Sequence, residues 1–350
     1  MTPEVALILG IDGLANGAVY LLAGLGLVLI FSVTRVVFVP FGDVAAFAAL
    51  SLAAFETGRV PATIGLVATL AVLALAVEIR SLVVRGEARR IPRAVLGWGV
   101  LPALPCLAAW AIAGRGAPAA VQVVVAVALV VPIIPLVARV ALQPIADASV
   151  LVLLIASLAL HYLLSGLGLL FFGPEGSRTA PLAGGAISLG GFSVSGQVLL
   201  MVGASLVLSG LFFLAFERTV AGKALRATAI NRVGARLVGI RPARTALLAY
   251  VAASLLAGLI GILVAPVTTM YYDSGFLIGL KAFVAAIIGG LVSYPLTALG
   301  ALAVGIVESF ASFWSGALKD VIVFSLLIPV LLLRSFFSAH AEEEEEEIDE

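Results

Sequence analysis

Val198–Phe216 reads VLLMVGASLVLSGLFFLAF, a run without a single charged residue. A helix needs about 20 apolar residues to cross the hydrocarbon core of a bilayer, so the run has the length and character of a span. The rest of the chain decides between a span and the buried core helix of a soluble protein. Of its 350 residues 62% are hydrophobic and 11% charged, with a mean hydropathy of +1.21. Soluble domains are about half apolar and about a quarter charged. A soluble fold cannot hide this much apolar surface, because surface grows too fast relative to volume. The bilayer is the solvent.

Working outward from 198–216, eleven membrane segments can be drawn, at roughly 5–31, 42–56, 62–84, 94–114, 119–138, 149–172, 196–217, 245–268, 276–293, 296–315 and 319–335. The second and ninth are short and rich in small residues. They suit re-entrant or broken helices, which are tolerated where neighbouring protein covers the backbone. The fold expected is an all-α polytopic bundle of about eight core transmembrane or re-entrant helices plus an inserted helical hairpin. Residues 1–338 form the membrane domain. The tail 339–350 is almost wholly acidic and is expected to be disordered, because like charges repel and build no core.

Charge distribution gives the direction. Arg218, Lys223, Arg226, Arg232, Arg236, Arg241 and Arg244 make the most basic loop, and basic loops stay in the cytoplasm. Counting from it places Arg35, Arg80–Arg93, Arg139 and Arg334 inside, and Arg59, Arg115 and Arg178 outside. The N-terminus is then outside and the C-terminus cytoplasmic. Met1–Glu4 lacks the basic n-region of a cleaved leader, and the apolar stretch behind it is too long for one. Cys106 is the one cysteine, so neither an internal disulfide nor a cysteine metal site is expected. The external loop 173–196 is long and rich in Pro, Gly and Ser, with a hairpin expected around Ala186–Val194.

The basic loop is more than a linker. Residues 219–244 read TVAGKALRATAINRVGARLVGIRPAR. Ala224–Ile230 suits a short helix, Asn231 a break or cap, and Val233–Val238 a second short helix. Gly239 ends that helix, and Pro242 bars its extension backwards. Composition alone fits a basic amphipathic loop on anionic lipid. A coupling element docked on a motor subunit is the rival, and composition alone favours the lipid surface over it.

The order of residues resembles one family. Arg226-Ala227, Asn231, Ala235-Arg236-Leu237 and Gly239-Ile240 follow the cytoplasmic loop of branched-chain amino acid ABC transporter permeases of the LivH type. Gly13 to Tyr20 with Leu25-Gly26-Leu27 is similar to the family's first span. Arg139 to Pro144 and Phe171 to Pro174 resemble its middle. Gly279 to Phe283, Gly289-Gly290, Pro295, Gly300, Gly305, Glu308 and Lys319-Asp320 look like its C-terminal half. The resemblance implies that Lys223, Arg226, Ala227, Asn231, Ala235, Arg236 and Gly239 meet the nucleotide-binding subunit. It further implies a second related permease, two cytoplasmic ATPase subunits and an extracytoplasmic binding protein as partners. The cargo implied is branched-chain or related small amino acids or amides, and the location a bacterial-type inner membrane.

Two departures stand out. Where the family has Asn-Phe-Ala-His-Gly and an acid, this chain has Phe38 to Asp43, with glycine and acid kept and the Asn and His gone. No role for those polar groups carries over. About sixty additional residues, roughly 80–138, precede Arg139, and they read as a peripheral hairpin of two spans with no chemistry of its own.

Charges inside membrane segments face a bundle interior, a partner or water. Lys281 and Glu308 are the clearest, and a pair between them that fixes packing is the leading reading. Asp43 lies at a membrane edge, in reach of Lys281 or Arg35. Asn16 lies on the first span and joins Asp43, Lys281 and Glu308 as the intramembrane polar residues that could line a pathway. A lone mid-span histidine such as His161 reads as a hydrogen-bonded packing residue, and Glu78 as a snorkelling end residue. Gly10, Gly13 and Gly17, and again Gly258 and Gly261, recur at close-packing spacing. The chain carries no Walker A loop, His/Glu metal pair or serine elbow, so neither catalysis, cofactor, metal site nor nucleic-acid partner is expected on it. The competing reading is an ion-coupled secondary transporter working through Lys281 and Glu308; a third is a purely structural membrane subunit.

Overall fold

The structure, a computed structural model, describes residues 2–189 and 192–332. The acidic tail 339–350 and Arg334 fall outside the described residues. The chain is an all-α polytopic membrane protein. Its helices are α1 (Pro3–Thr34), α2 (Phe41–Glu56), α3 (Thr63–Val84), α4 (Ala88–Ile112), α5 (Ala119–Ile145), α6 (Val150–Phe172), α7 (Gly196–Arg218), α8 (Val220–Ile230), α9 (Arg232–Leu237), α10 (Pro242–Val264), α11 (Gly275–Ile288), α12 (Tyr294–Trp314) and α13 (Lys319–Ser325). Ten of the expected segments coincide with a helix, and the eleventh begins with α13. Eight helices among the described residues are long and apolar enough to cross a membrane. α2 and α11 are not, having 16 and 14 residues against the ~20 a span requires.

α1 is the axis of the bundle, and 89% of its most apolar window is buried. It lies antiparallel against α12: Gly13 faces Gly305 and Ile306, Gly17 faces Ala301 and Leu302, and Gly24 faces Thr297. A Cβ added at Gly305 would stand 2.3 Å from the Gly17 nitrogen and 2.4 Å from the Gly13 oxygen. Only glycines permit this backbone approach, which stands in for the hydrophobic drive that lipid does not supply. A Cβ added at Gly10, of the same stripe, would meet nothing within 4 Å. Gly258 and Gly261 face different neighbours, Val127 and Val130 of α5 and Ala45 of α2 respectively.

The inserted segments do not behave alike. α4 is peripheral, with 11% of its window buried. α5 is built into the core: Ala126, Leu129, Val130, Ile133 and Ile134 are fully covered, and Ser254 of α10 donates to the Val130 carbonyl at 2.9 Å. The expectation of a hairpin lying wholly outside the core therefore needs correcting at α5. The run AAVQVVVAVALV is apolar at every position but Gln122, so its periodicity could not reveal which side is covered. π-helical turns at Val95–Val100 and Ala138–Leu142 sit beside Pro102, Pro105, Pro135 and Pro144, residues that disrupt the i to i−4 ladder. Arg139 pairs with Glu78 and ties α5 to α3, so Glu78 has a protein partner.

Outside the helices, the loop after α6 carries an antiparallel hairpin of β1 (Ala186–Leu189) and β2 (Phe192–Ser195), with Ile187 opposite Val194. Ser177 pairs with Met270 across two loops. Gln197 anchors the loop by accepting from Leu182 at 3.0 Å and donating to the Leu263 carbonyl at 3.0 Å.

Candidate functional site

The chain turns back after α1 through Arg35, whose left-handed φ of 62° closes the helix. Residues 36–40 then re-enter the bundle without helical hydrogen bonding, with Val36 and Phe38 buried. Their polar backbone is met by α6: the Val39 N–H donates to Ser157 Oγ at 2.8 Å. α2 starts from this buried point. Its first turn packs backbone on backbone against the first turn of α11. A Cβ on Gly42 would meet the Gly275 oxygen at 1.8 Å, and one on Gly275 would meet the Gly42 oxygen at 2.0 Å. Two broken helices thus converge at their N-termini inside the protein.

Asp43, in that first turn of α2, is fully buried. Its Oδ2 lies 2.7 Å from His161 Nδ1, and its Oδ1 has no hydrogen-bond partner among the described residues. The His161 ring stacks on Phe276 of α11 with centroids 4.4 Å apart. The expected partners for Asp43, Lys281 or Arg35, are both incorrect. The Gly42–Gly275 contact turns Asp43 towards α6, while Arg35 stays exposed at the end of α1. The acid also benefits from the partial positive charge of the α2 N-terminus.

A second polar group ties the other flank of α11. Lys281 forms an ion pair with Glu308 of α12 and another with Asp320 of α13 at 2.8 Å. The Tyr20 hydroxyl of α1 donates to Glu308 Oε2 at 2.5 Å. Lys281 and Glu308 are buried, and together these side chains clamp four helices. Asn16 is half-buried one turn before Tyr20 on α1. Asp320, the second partner of Lys281, lies beyond a loop in another segment, where sequence spacing does not point to it. α11 is held on one side through Phe276 and on the other through Lys281.

The third feature is the loop 219–244 at one end of the bundle. Thr219 caps α8, accepting from the Gly222 N–H at 3.0 Å, and Asn231 Oδ1 caps α9, accepting from the Gly234 N–H at 2.8 Å. Gly239, at φ 86°, makes the left-handed exit before Pro242 opens α10. The loop is fastened to the membrane helices. Leu225 packs on Leu29 and Val33 of α1 and Ala249 of α10, and the hydroxyls of Thr228 and Thr245 are 3.1 Å apart.

Among the seven loop residues singled out from sequence, Lys223, Arg226, Asn231, Arg236 and Gly239 are exposed, Ala227 is half-buried and Ala235 is buried. Ala235 therefore packs inward, and the Asn231 side chain is occupied as a cap. The face turned away from the bundle also carries large apolar groups: Ile230 is 78% exposed, Val233 66%, Leu237 84% and Val238 75%. Sequence reasoning recognised Val233, Leu237 and Val238 as an apolar stretch but did not single them out as surface. Their signal was apolar bulk interleaved with arginines in two short capped helices.

A family model described as the permease component of a branched-chain amino acid transport system matches residues 10–331. The high-affinity branched-chain amino acid transport system permease protein BraD of Pseudomonas aeruginosa is 33% identical over 208 residues, covering 56% of this chain and 66% of its own length. The permease protein LivH of the corresponding high-affinity system of Escherichia coli K12 is 32% identical over 206 residues, and that of Salmonella typhimurium 31% over 209, with the same coverage. The chain thus spans just under two thirds of the length of these relatives. No solved structure matches it.

Proposed function

Because the chain belongs to the family of branched-chain amino acid transport permease components, we propose that it is the membrane subunit of an ATP-driven importer for branched-chain or related small amino acids. It works beside a second permease, two ATPase subunits on the loop 219–244, and an external binding protein that delivers cargo. The N-terminus and the hairpin lie on the delivery side and the loop and C-terminus in the cytoplasm, an orientation that the arginine distribution supports.

One observation carries this reading. Ile230, Val233, Leu237 and Val238 present an apolar face on a loop that Leu225 and Thr228 fasten to α1 and α10. Exposed apolar groups that face water beyond the membrane mark a docking surface. A rigidly fastened one can pass motion to the helices behind it. ATP binding moves the docked ATPases, the loop moves with them, and α1 and α10 follow. The pathway is assigned to the meeting point of α2 and α11, because broken helices place unpaired backbone and positive helix ends where a substrate can use them. Lys281 and Glu308 are engaged with each other, Asp320 and Tyr20, which favours a clamp over an ion-coupling site.

Reconstitution tests the reading. The chain, its partner permease, the ATPases and the binding protein are placed in proteoliposomes and labelled leucine uptake is followed. Uptake that requires ATP supports the proposal. Uptake driven by a proton or sodium gradient without ATPases refutes it.

A further inference from the structure

Where α7 ends and α8 begins, a cavity of about 320 Å³ opens beneath the loop, with Leu25, Phe212, Phe213, Phe216 and Tyr294 among its walls and Glu217 and Arg226 at its rim. Its body is apolar. Leu25 is buried, and Phe212, Phe216 and Tyr294 form a rigid trio with ring centroids 5.3–6.1 Å apart. Its rim carries one charge of each sign. Arg226 Nη2 and Glu217 Oε1 are 3.6 Å apart, with both side chains close to half exposed. A loose pair of this kind contributes little to holding the loop. The Arg226 guanidinium is instead steadied 5.7 Å over the Phe216 ring. Ser209 Oγ is buried on the cavity wall with no hydrogen-bond partner among the described residues.

From this arrangement we infer that the cavity binds a zwitterionic α-amino acid with an apolar side chain, on the same side of the molecule as the loop. The planar guanidinium of Arg226 receives the α-carboxylate. Glu217 accepts from the α-ammonium, and the two rim charges match two ligand charges carried on neighbouring atoms. The aromatic trio and Leu25 take the side chain. The inference rests on the importer reading for its choice of ligand and adds a site apart from the α2–α11 pathway. Since Arg226 belongs to α8, an occupant there restrains the element proposed to couple to the ATPases. Delivered cargo thereby acts back on its own import.

The test is equilibrium binding of labelled leucine to the full chain in lipid nanodiscs, beside leucine uptake by the reconstituted importer. The chain is expected to bind leucine. Leucinol, which lacks the carboxylate, and 4-methylpentanoate, which lacks the ammonium, are expected to bind at least about tenfold more weakly. Glu217→Gln weakens leucine to a similar degree, and Phe213→Trp, at the exposed rim, blocks entry without touching the bundle core. Leucine binding that neither substitution alters overturns the inference. So does the absence of binding by a chain whose uptake is intact, and the importer reading then stands alone. Binding with the predicted discrimination in a chain that never imports leucine upholds the cavity and sinks the importer reading.

Discussion

Replacing Lys281 by methionine removes the one cation of the clamp and keeps its length and flexibility. Glu308 then sits buried with a tyrosine hydroxyl as its remaining partner, and Asp320 loses a contact of 2.8 Å. At that separation and an effective dielectric near 20, one ion pair is worth about 6 kcal/mol before desolvation is counted. Asp320 recovers much of its share from water, because it is a third exposed. Glu308 cannot, and stranding one member of a buried pair costs about 3–5 kcal/mol. At roughly 2–4 °C per kcal/mol for a chain above 150 residues, the unfolding midpoint should fall by the order of 10 °C. The double change Lys281→Met with Glu308→Met should recover most of that loss, since apolar replacement of both partners is often near neutral. Thermal unfolding of the purified protein in detergent, read as a double-mutant cycle, measures both. A single change within about 1 kcal/mol of the parent, or a double change as unstable as the single one, would refute the clamp.

The crossing of α1 and α12 and the Asp43 pair give two more expectations. Gly305→Ala forces a Cβ to within 2.3 Å of α1 backbone, so the helices must part and the cost is about 1–3 kcal/mol, whereas Gly10→Ala, facing open space, should be neutral in the same melting assay. His161→Phe strands the fully buried Asp43 without a partner and should cost about 3–5 kcal/mol in stability. His161→Gln keeps a donor and should cost less than half as much; a larger loss from the Gln variant than from the Phe variant would mean that the hydrogen bond at 2.7 Å matters less than ring packing on Phe276.

The spans were legible because twenty apolar residues have few other uses, and the shortness of α2 and α11 already marked them as broken. The loop's two helices were legible from local chemistry, since Asn231, Gly239 and Pro242 act within a few residues of themselves. What the sequence concealed depends on how helices rotate against each other. Asp43 and His161 are 118 residues apart, and nothing local aims one at the other. The glycines that orient them, Gly42 and Gly275, look like any other glycines of a membrane protein. The burial of α5 was hidden for the opposite reason, because its stretch Val123–Leu136 has no polar residue and so carries no record of the face it covers. Lys281 and Glu308 lie on consecutive membrane segments, which made their contact a natural guess, while Asp320 sits beyond the next turn.

The proposed function puts the ATPases on the apolar face of the loop. It is tested by co-purification with tagged permease carrying Val233→Asp and Leu237→Asp, both at exposed positions away from Leu225 and Thr228. ATPase subunits are expected to elute with the parent chain and to be lost from the variant, while the variant remains monodisperse with an unchanged melting temperature. ATPases that stay bound to a correctly folded variant would contradict it.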